Sequence, residues 1–379
     1  MTIAFTGGET GGHFYPLIAI AEAVQDAVHE RRLISPKLYF LSPTPFDATT
    51  LYDNNLIYIQ IPAGKLRRYF DFRNITGLFV TLGGFFSALI TLFRIYPDVL
   101  VSKGGYGSVP SVLAAAVLRI PIIIHESDAK PGRANLLASH FAQRIGIAYP
   151  EAAHYFSKNA QKRIARTGIP VRKELHHVEL EGARQELNLD PGIPTLLILG
   201  GSLGARRINE VVVDALYDLV SFANVLHQTG TALYTETAGI ASVALEGNPH
   251  KDRYHPFPYL SALSLRRSAG VADLVISRAG SSAINEISIW KKPAILIPIP
   301  ESVSHDQRTN AYSFARTGGA VVLEEANLTP HLLISEARRI TMNKELALSM
   351  GERGSRFADP DSARIIAEEL PSIGLSHEV

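Results

Sequence analysis

The stretch Ser277-Arg278-Ala279-Gly280-Ser281-Ser282-Ala283-Ile284-Asn285-Glu286 decides how the rest of this chain is read. Before it, Ala272-Asp273-Leu274-Val275-Ile276 is a short apolar run of the kind that makes a buried strand. After it, Ile284, Ile287 and Trp290 recur at helical spacing until Pro293 stops the pattern. Strand, small-residue turn and helix N-terminus together aim backbone N–H groups and a positive dipole end at one point, which suits an anion such as a diphosphate. Glu286 falls in the first turns of that helix, where a carboxylate can accept two hydrogen bonds from a ribose diol. The plainer alternative is an acidic residue favoured there by the helix dipole.

Working outward, the runs Ile3–Thr6, Leu38–Leu41, Val99–Ser102, Ile122–His125, Thr195–Leu199, Leu274–Ser277 and Ala294–Ile297 read as buried strands separated by helical segments. That alternation predicts α/β architecture with parallel sheets, whose ligands bind beyond the carboxyl ends of the strands. Four of these strands run into glycine-rich turns: Gly7-Gly8-Glu9-Thr10-Gly11-Gly12, Gly104-Gly105-Tyr106-Gly107, Gly200-Gly201-Ser202-Leu203-Gly204 and Arg278–Ser282. Two fall in each half, so the expectation is two similar α/β domains facing across a cleft. The turn-rich Thr167-Gly168-Ile169-Pro170 marks the boundary, giving a first domain over 1–167 and a second over 168–357. A final helix over Asp361–Leu370, within 358–379, is expected to cross back onto the first domain.

At 379 residues the chain is long enough for about two domains. A net charge of +1 carries no basic excess, so no nucleic-acid partner is expected. Cysteine is absent, which excludes disulfides, thiolate metal sites and cysteine nucleophiles. The N-terminal Met1-Thr2-Ile3-Ala4-Phe5-Thr6 has no basic run before its apolar residues, so no secretory signal is expected and the cytoplasm is the default location.

Asn74 to Phe93 contains no charged residue and is nominally long enough to span a bilayer. It contains Gly77, Gly83, Gly84 and Ser87, and it lies between strands expected in one sheet, so both of its ends must stay on one side of a membrane. Two readings remain: a fully buried core helix, or an exposed apolar surface beside Lys65, Arg67, Arg68 and Arg73 that docks on an anionic membrane.

None of the glycine turns matches the dinucleotide fingerprint G-x-G-x-x-G, which counts against a nicotinamide or flavin enzyme. Gly7 to His13 has the spacing of a phosphate loop, but His13 and Phe14 stand where Lys and Ser/Thr are required, which counts against a kinase or ATPase. His13 opens the helix after the first turn. It reads either as a base that removes a hydroxyl proton near neutral pH or as a residue that packs the turn. Glu126 and Asp128 follow another strand's carboxyl end and read as site residues or as a polar loop. His125, Glu126 and Asp128 are too few, at a spacing that fits no common metal site.

Taken together, these residues resemble the MurG family of peptidoglycan glycosyltransferases. The resemblance covers the whole chain. It rests on Gly8-Glu9-Thr10-Gly11-Gly12-His13-Phe14-Tyr15-Pro16, Gly104-Gly105-Tyr106, His125-Glu126-Ser127-Asp128 with Pro131-Gly132 and Asn135, and Thr167-Gly168-Ile169-Pro170-Val171-Arg172. It continues with Gly200-Gly201-Ser202-Leu203-Gly204-Ala205, Ile208-Asn209, Arg278-Ala279-Gly280 with Glu286, and His305-Asp306-Gln307 with Asn310-Ala311.

The resemblance implies the glycosyltransferase B architecture of two Rossmann-like domains. It implies inverting transfer of N-acetylglucosamine from UDP-N-acetylglucosamine to the 4-hydroxyl of the N-acetylmuramoyl group of lipid I, with no cofactor and no metal. In the second domain Glu286 would meet the ribose, Arg172 and Pro258 the uracil region, and Ser202, Ser281, Ser282 and Ala283 the diphosphate. Gln307 would contact the sugar. In the first domain Thr10, Gly11, Gly12 and Asp128 would approach the donor, with His13 as the first candidate base and Glu126 as the second. The lipid acceptor implies peripheral attachment to an anionic surface at the cytoplasmic face of the inner membrane. Three positions depart from the family pattern: Glu9 for glycine, Asp128 for asparagine, and Asp306 before Gln307. A UDP-N-acetylglucosamine 2-epimerase, another UDP-sugar transferase of the same fold and a non-catalytic nucleotide-sugar sensor are the competing readings.

Overall fold

Thirteen strands form two wholly parallel sheets among the described residues of the computed structural model, which are 1–8, 10–65, 73–201, 204–303 and 306–375. Glu9, Arg67, Arg68, Ser202 and His305 lie outside them. The strands are β1 (Thr2–Thr6), β2 (Lys37–Ser42), β3 (Leu56–Gln60), β4 (Val99–Ser102), β5 (Ile122–Glu126), β6 (Arg144–Ile147), β7 (Ile164–Arg166), β8 (Thr195–Leu199), β9 (Asn224–Gln228), β10 (Tyr254–Phe257), β11 (Leu274–Ser277), β12 (Ala294–Leu296) and β13 (Ala320–Val322). The first sheet runs β3-β2-β1-β4-β5-β6-β7 and the second β10-β9-β8-β11-β12-β13. All seven runs read as strands are strands. The other six sit toward the sheet edges, where short and partly polar sequences such as Ile164–Arg166 give little periodic signal. Pro256 lies in β10, an edge strand, where its missing N–H leaves no ladder bond unmade.

The central strands are apolar on both faces because helices cover both. In the first unit, Ile3, Phe5, Val99 and Val101 pack under the helix Gly11–Glu30, while Ala4, Leu100, Ile122 and Ile124 pack on the opposite face. In the second, Leu196, Ile198, Leu274 and Ile276 lie under the helix Arg206–Phe222, whose buried stripe includes Ile208, Val212, Leu216 and Leu219. His227 ties that layer together: its Nε2 is 3.2 Å from Asn209 Oδ1 and its Nδ1 3.1 Å from the Tyr254 hydroxyl.

The chain divides into a unit of Met1–Arg172 with Asp359–Val379 and a unit of Lys173–Ala358. The first division falls later than the expected 167. Gly168 O accepts a hydrogen bond from His125 Nε2 at 2.7 Å, and the Arg172 guanidinium lies 3.9 Å from the Tyr15 ring centroid. These contacts hold residues 168–172 to the first unit. The second division follows Ala358, whose N–H donates to Ser288 Oγ at 3.0 Å. The last helix, Ser362–Leu375, packs on Gly11–Glu30 through Ile366, Ala367, Leu370 and Ile373.

The uncharged segment is a helix, Arg73–Ile95, in the crossover between β3 and β4. Its inner stripe is small. Gly84 lies so close to Pro62 O that a Cβ there would clash with the backbone, and Ala88 and Leu92 are buried against the helix Val109–Val117. Thr81 Oγ1 accepts from Gly64 N–H at 3.0 Å and donates to Gly77 O at 2.8 Å. The outer face is not a core. Phe79 is 67% exposed and Phe93 70%, with Ile75, Leu78, Leu82, Phe86 and Ile90 exposed beside them. Because β3 and β4 belong to one sheet, this helix cannot cross a membrane, although it is long and apolar enough to do so.

Candidate functional site

Each sheet reverses its strand order between two central neighbours, β1 beside β4 and β8 beside β11. Connections from such a pair depart in opposite directions and leave a crevice beyond their carboxyl ends. All four glycine turns leave these strands.

In the first unit, β1 runs into Gly7 and Gly8, at φ +126° and +97°, and a Cβ on Gly8 would meet the Phe40 ring at 2.7 Å. Only glycine fits there without displacing the turn. The helix Gly11–Glu30 then begins at Thr10. Its hydroxyl caps no backbone group and instead lies 3.0 Å from His13 Nδ1. His13 is partly buried, with its pKa lowered to about 4 by desolvation and, secondly, by the charge of Lys103. The imidazole is therefore neutral at physiological pH. In the tautomer whose Nδ1–H donates to Thr10 Oγ1, Nε2 carries the lone pair that can take a proton.

β4 ends at Lys103-Gly104-Gly105. Lys103 is only 2% exposed, and its ammonium contacts the Ser127 hydroxyl. Sequence reading passed over Lys103, although a lysine joined directly to a buried apolar strand and a Gly-Gly turn is an unusual placement that could have flagged it. Asn135 packs against Gly104, where a Cβ would come within 2.7 Å of Oδ1.

β5 delivers His125 and Glu126. Burial and the Lys103 charge hold His125 well below the usual imidazole pKa, so its Nε2–H donates to Gly168 O as a neutral ring. Glu126 is buried and accepts from Asp128 N–H at 2.9 Å, Gly132 N–H at 3.0 Å and Asn135 Nδ2 at 2.9 Å. Both carboxylate oxygens thus fasten the loop that presents Asp128, which is itself partly exposed. This geometry suits an anchor better than a base.

In the second unit, β8 runs into Gly200 and Gly201, and β11 into Arg278-Ala279-Gly280. Arg278 Nη1 pairs with the Glu325 carboxylate at 2.5 Å and donates to Ile297 O at 3.2 Å, which fixes the turn. The helix Ser281–Ile289 has Gly280 as N-cap and no side-chain cap, so its first N–H groups stay open. The Ser282 hydroxyl there is buried with no hydrogen-bond partner among the described residues. Ser282, Ala283 and Glu286 are partly exposed around that end, and Ser281 is buried.

Gln307 starts the helix Gln307–Ala315, its Oε1 accepting from Ile299 N–H at 3.2 Å. Pro258 is exposed just beyond β10. Gln228, at the end of β9, was also missed. It donates to Gly201 O at 3.1 Å and accepts from Leu260 N–H at 3.1 Å, tying the glycine turn to the Pro258 segment.

The structure thus brings Thr10, Gly11, Gly12, His13, Glu126 and Asp128 to the carboxyl edge of one sheet. It brings Ser281, Ser282, Ala283, Glu286, Gln307 and Pro258 to that of the other. Arg172, expected near the uracil, is held over Tyr15 in the first unit.

Two family descriptions match this chain: the glycosyltransferase family 28 N-terminal domain over residues 3–147 and its C-terminal domain over 195–364. A Treponema denticola protein is 33% identical over 98% of this chain and 97% of its own length; it is a UDP-N-acetylglucosamine--N-acetylmuramyl-(pentapeptide) pyrophosphoryl-undecaprenol N-acetylglucosamine transferase. The crystal structure of Acinetobacter baumannii MurG is similar with a TM-score of 0.71 and 24% identity, covering 98% of this chain and 99% of that one. The UDP-GlcNAc 2-epimerase of Neisseria meningitidis, bound to UDP-GlcNAc, shares the fold at a TM-score of 0.70 and 12% identity, covering 98% of this chain and all of that one (100%).

The anchoring geometry of Glu126 gives an expected outcome. Glu126→Ala removes the acceptor for two backbone N–H groups and the Asn135 amide, and should lower unfolding free energy by about 3 kcal/mol. Denaturant titration followed by fluorescence measures it; a variant as stable as the parent would show that the loop does not depend on this carboxylate.

Proposed function

The chain belongs to glycosyltransferase family 28, and from that premise we propose that it moves N-acetylglucosamine from UDP-N-acetylglucosamine to the N-acetylmuramoyl-pentapeptide of lipid I, forming lipid II for peptidoglycan. The full-length likeness to a curated transferase carries this reading. The two parallel α/β units are those of the glycosyltransferase B architecture.

The second unit takes the nucleotide. The open N-terminus of Ser281–Ile289 and the orphan Ser282 hydroxyl receive the diphosphate, and Glu286 accepts hydrogen bonds from the ribose diol. The first unit supplies the acceptor side. His13 Nε2 takes the proton of the muramoyl 4-hydroxyl as that oxygen attacks the anomeric carbon, and UDP leaves from the opposite face with inversion. Negative charge gathers on the departing diphosphate, where uncapped helix amides are already aimed. A preorganised donor of this kind typically contributes about 2.7–4 kcal/mol to the transition state. Glu126 holds the loop of Asp128 in place.

The acceptor's prenyl chain keeps its sugar at a membrane surface. The exposed apolar face of Arg73–Ile95, with Lys65, Arg67, Arg68 and Arg73 near it in sequence, suits reversible docking on anionic lipid. Peripheral attachment at the cytoplasmic face of the inner membrane follows from this reading.

Transfer of labelled N-acetylglucosamine to a soluble lipid I analogue is the direct test; turnover of donor with no acceptor would instead mark a 2-epimerase. Glu286→Ala is expected to weaken UDP binding by about 1.5–3 kcal/mol for each charged hydrogen bond lost, measured by calorimetry. His13→Ala should lower kcat by roughly 10²–10⁴-fold with donor affinity retained, and a collapse of UDP affinity would make His13 structural. Replacing Phe79 and Phe86 with serine, or Arg67, Arg68 and Arg73 with glutamate, should reduce co-sedimentation with anionic vesicles while UDP affinity stays unchanged. Undiminished sedimentation of both variants rules this surface out.

A further inference from the structure

The chain enters the second unit at Lys173 and leaves it after Ala358, and both places are tied to one helix. Trp290 closes the helix Ser281–Ile289, and its indole Nε1–H donates to Leu175 O at 2.9 Å, in the short turn Lys173–Leu175. Ser288 Oγ donates to Gly354 O at 2.7 Å and accepts from Ala358 N–H at 3.0 Å. A serine inside a helix ordinarily turns its hydroxyl back to its own helix or out to water. Ser288 instead gives both its donor and an acceptor site to the segment by which the chain leaves. Ser288, Trp290 and Leu175 are all buried, so water does not compete for these bonds.

The opposite end of the same helix is the open one. Gly280 provides no side-chain cap there, and the Ser282 hydroxyl is buried without a hydrogen-bond partner among the described residues. The backbone N–H of Trp290 donates to Glu286 O at 2.9 Å, so Glu286 stands one helical turn from the Leu175 tie. Nine residues of helix span about 13 Å from end to end. Ile284 and Ile287 are sunk in the core, and Asn285 Nδ2 donates to Ser281 O at 2.9 Å. A segment this short, fully laddered and held along its buried side, moves as one body.

We propose that Ser288 and Trp290 are positioning residues for the donor: they fasten the two connections of the second unit to the closed end of the helix whose open end receives the diphosphate, so that order at the connections and occupancy of the donor site are coupled. The proposal rests on the reading of this helix as the diphosphate and ribose site. The ties hold the helix in one orientation before the ligand arrives. Without them, that ordering falls to the binding step and weakens it. By linkage the coupling runs both ways: a ligand that favours the fixed helix also favours the made ties.

The test uses the full chain and UDP. Hydrogen exchange is followed at two backbone N–H groups: that of His176, which closes the turn of the first connection on Lys173 O, and that of Ala358 in the second. In the parent, saturating UDP should slow exchange at both. Trp290→Phe keeps a ring in the core and removes the indole N–H; UDP should then slow Ala358 but no longer His176. Ser288→Ala should give the converse. Each variant should bind UDP about threefold or more weakly by calorimetry, the scale of one net hydrogen bond. Exchange indifferent to UDP in a parent that binds it overturns the proposal. So do folded variants in which UDP still slows both groups, or in which UDP affinity is undiminished. Should one variant fail to fold, the other decides alone. A parent that binds no UDP overturns the reading of the second unit as the nucleotide unit, and the proposal falls with it.

Discussion

Everything at the two candidate sites depends on one constraint of parallel sheets: the strand order must reverse somewhere, and the connections part at that point. Here the reversal lies between β1 and β4 in one sheet and between β8 and β11 in the other. Main-chain N–H groups left over at the ends of these strands cannot be used within the sheet. Helix N-termini arrive at the same edge with unpaired amides and positive dipole ends. Such an edge offers an anion unpaired N–H groups.

Such an edge must still be held rigid, and the chain does this with buried polar side chains whose partners are mostly backbone. Glu126 gathers two amides and an asparagine, Gln228 bridges two loops, and Arg278 is pinned between Glu325 and a carbonyl. Each is costly to bury alone and stable only when its partners are in place. Lys103 belongs to this group by burial. Its ammonium contacts the Ser127 hydroxyl, and Glu126 and Asp128 favour its charged form against the burial that lowers its pKa.

The helix Arg73–Ile95 shows the opposite economy. Gly77 and Gly84 bring its inner face against the backbone at Gly64 and Pro62, while Phe79, Phe86 and Phe93 stand exposed on the other side. An apolar surface of this kind is unfavourable in water and marks a candidate interaction surface.

How much of this was legible in the chain itself follows from how far each signal reaches. The strand, glycine turn and helix around Gly280, the same pattern after β1, and the α/β alternation were all readable, because residue periodicity and left-handed glycine turns are local. The edge strands β3, β7 and β13 were not readable, since a few half-polar residues become a strand only when a neighbour offers its ladder. Glu126 reads in the sequence as a candidate base; its role as an anchor appears only with Gly132 and Asn135 folded back onto it. Arg172 sits at a motif position but is claimed by Tyr15, far away in the chain. Lys103 is one charge among many until the sheet buries it beneath Gly7. Sequence alone determined which segments could make turns that receive an anion; tertiary structure decided which side chains stand there and in what protonation state, because burial and hydrogen-bond partners come from residues distant in the chain.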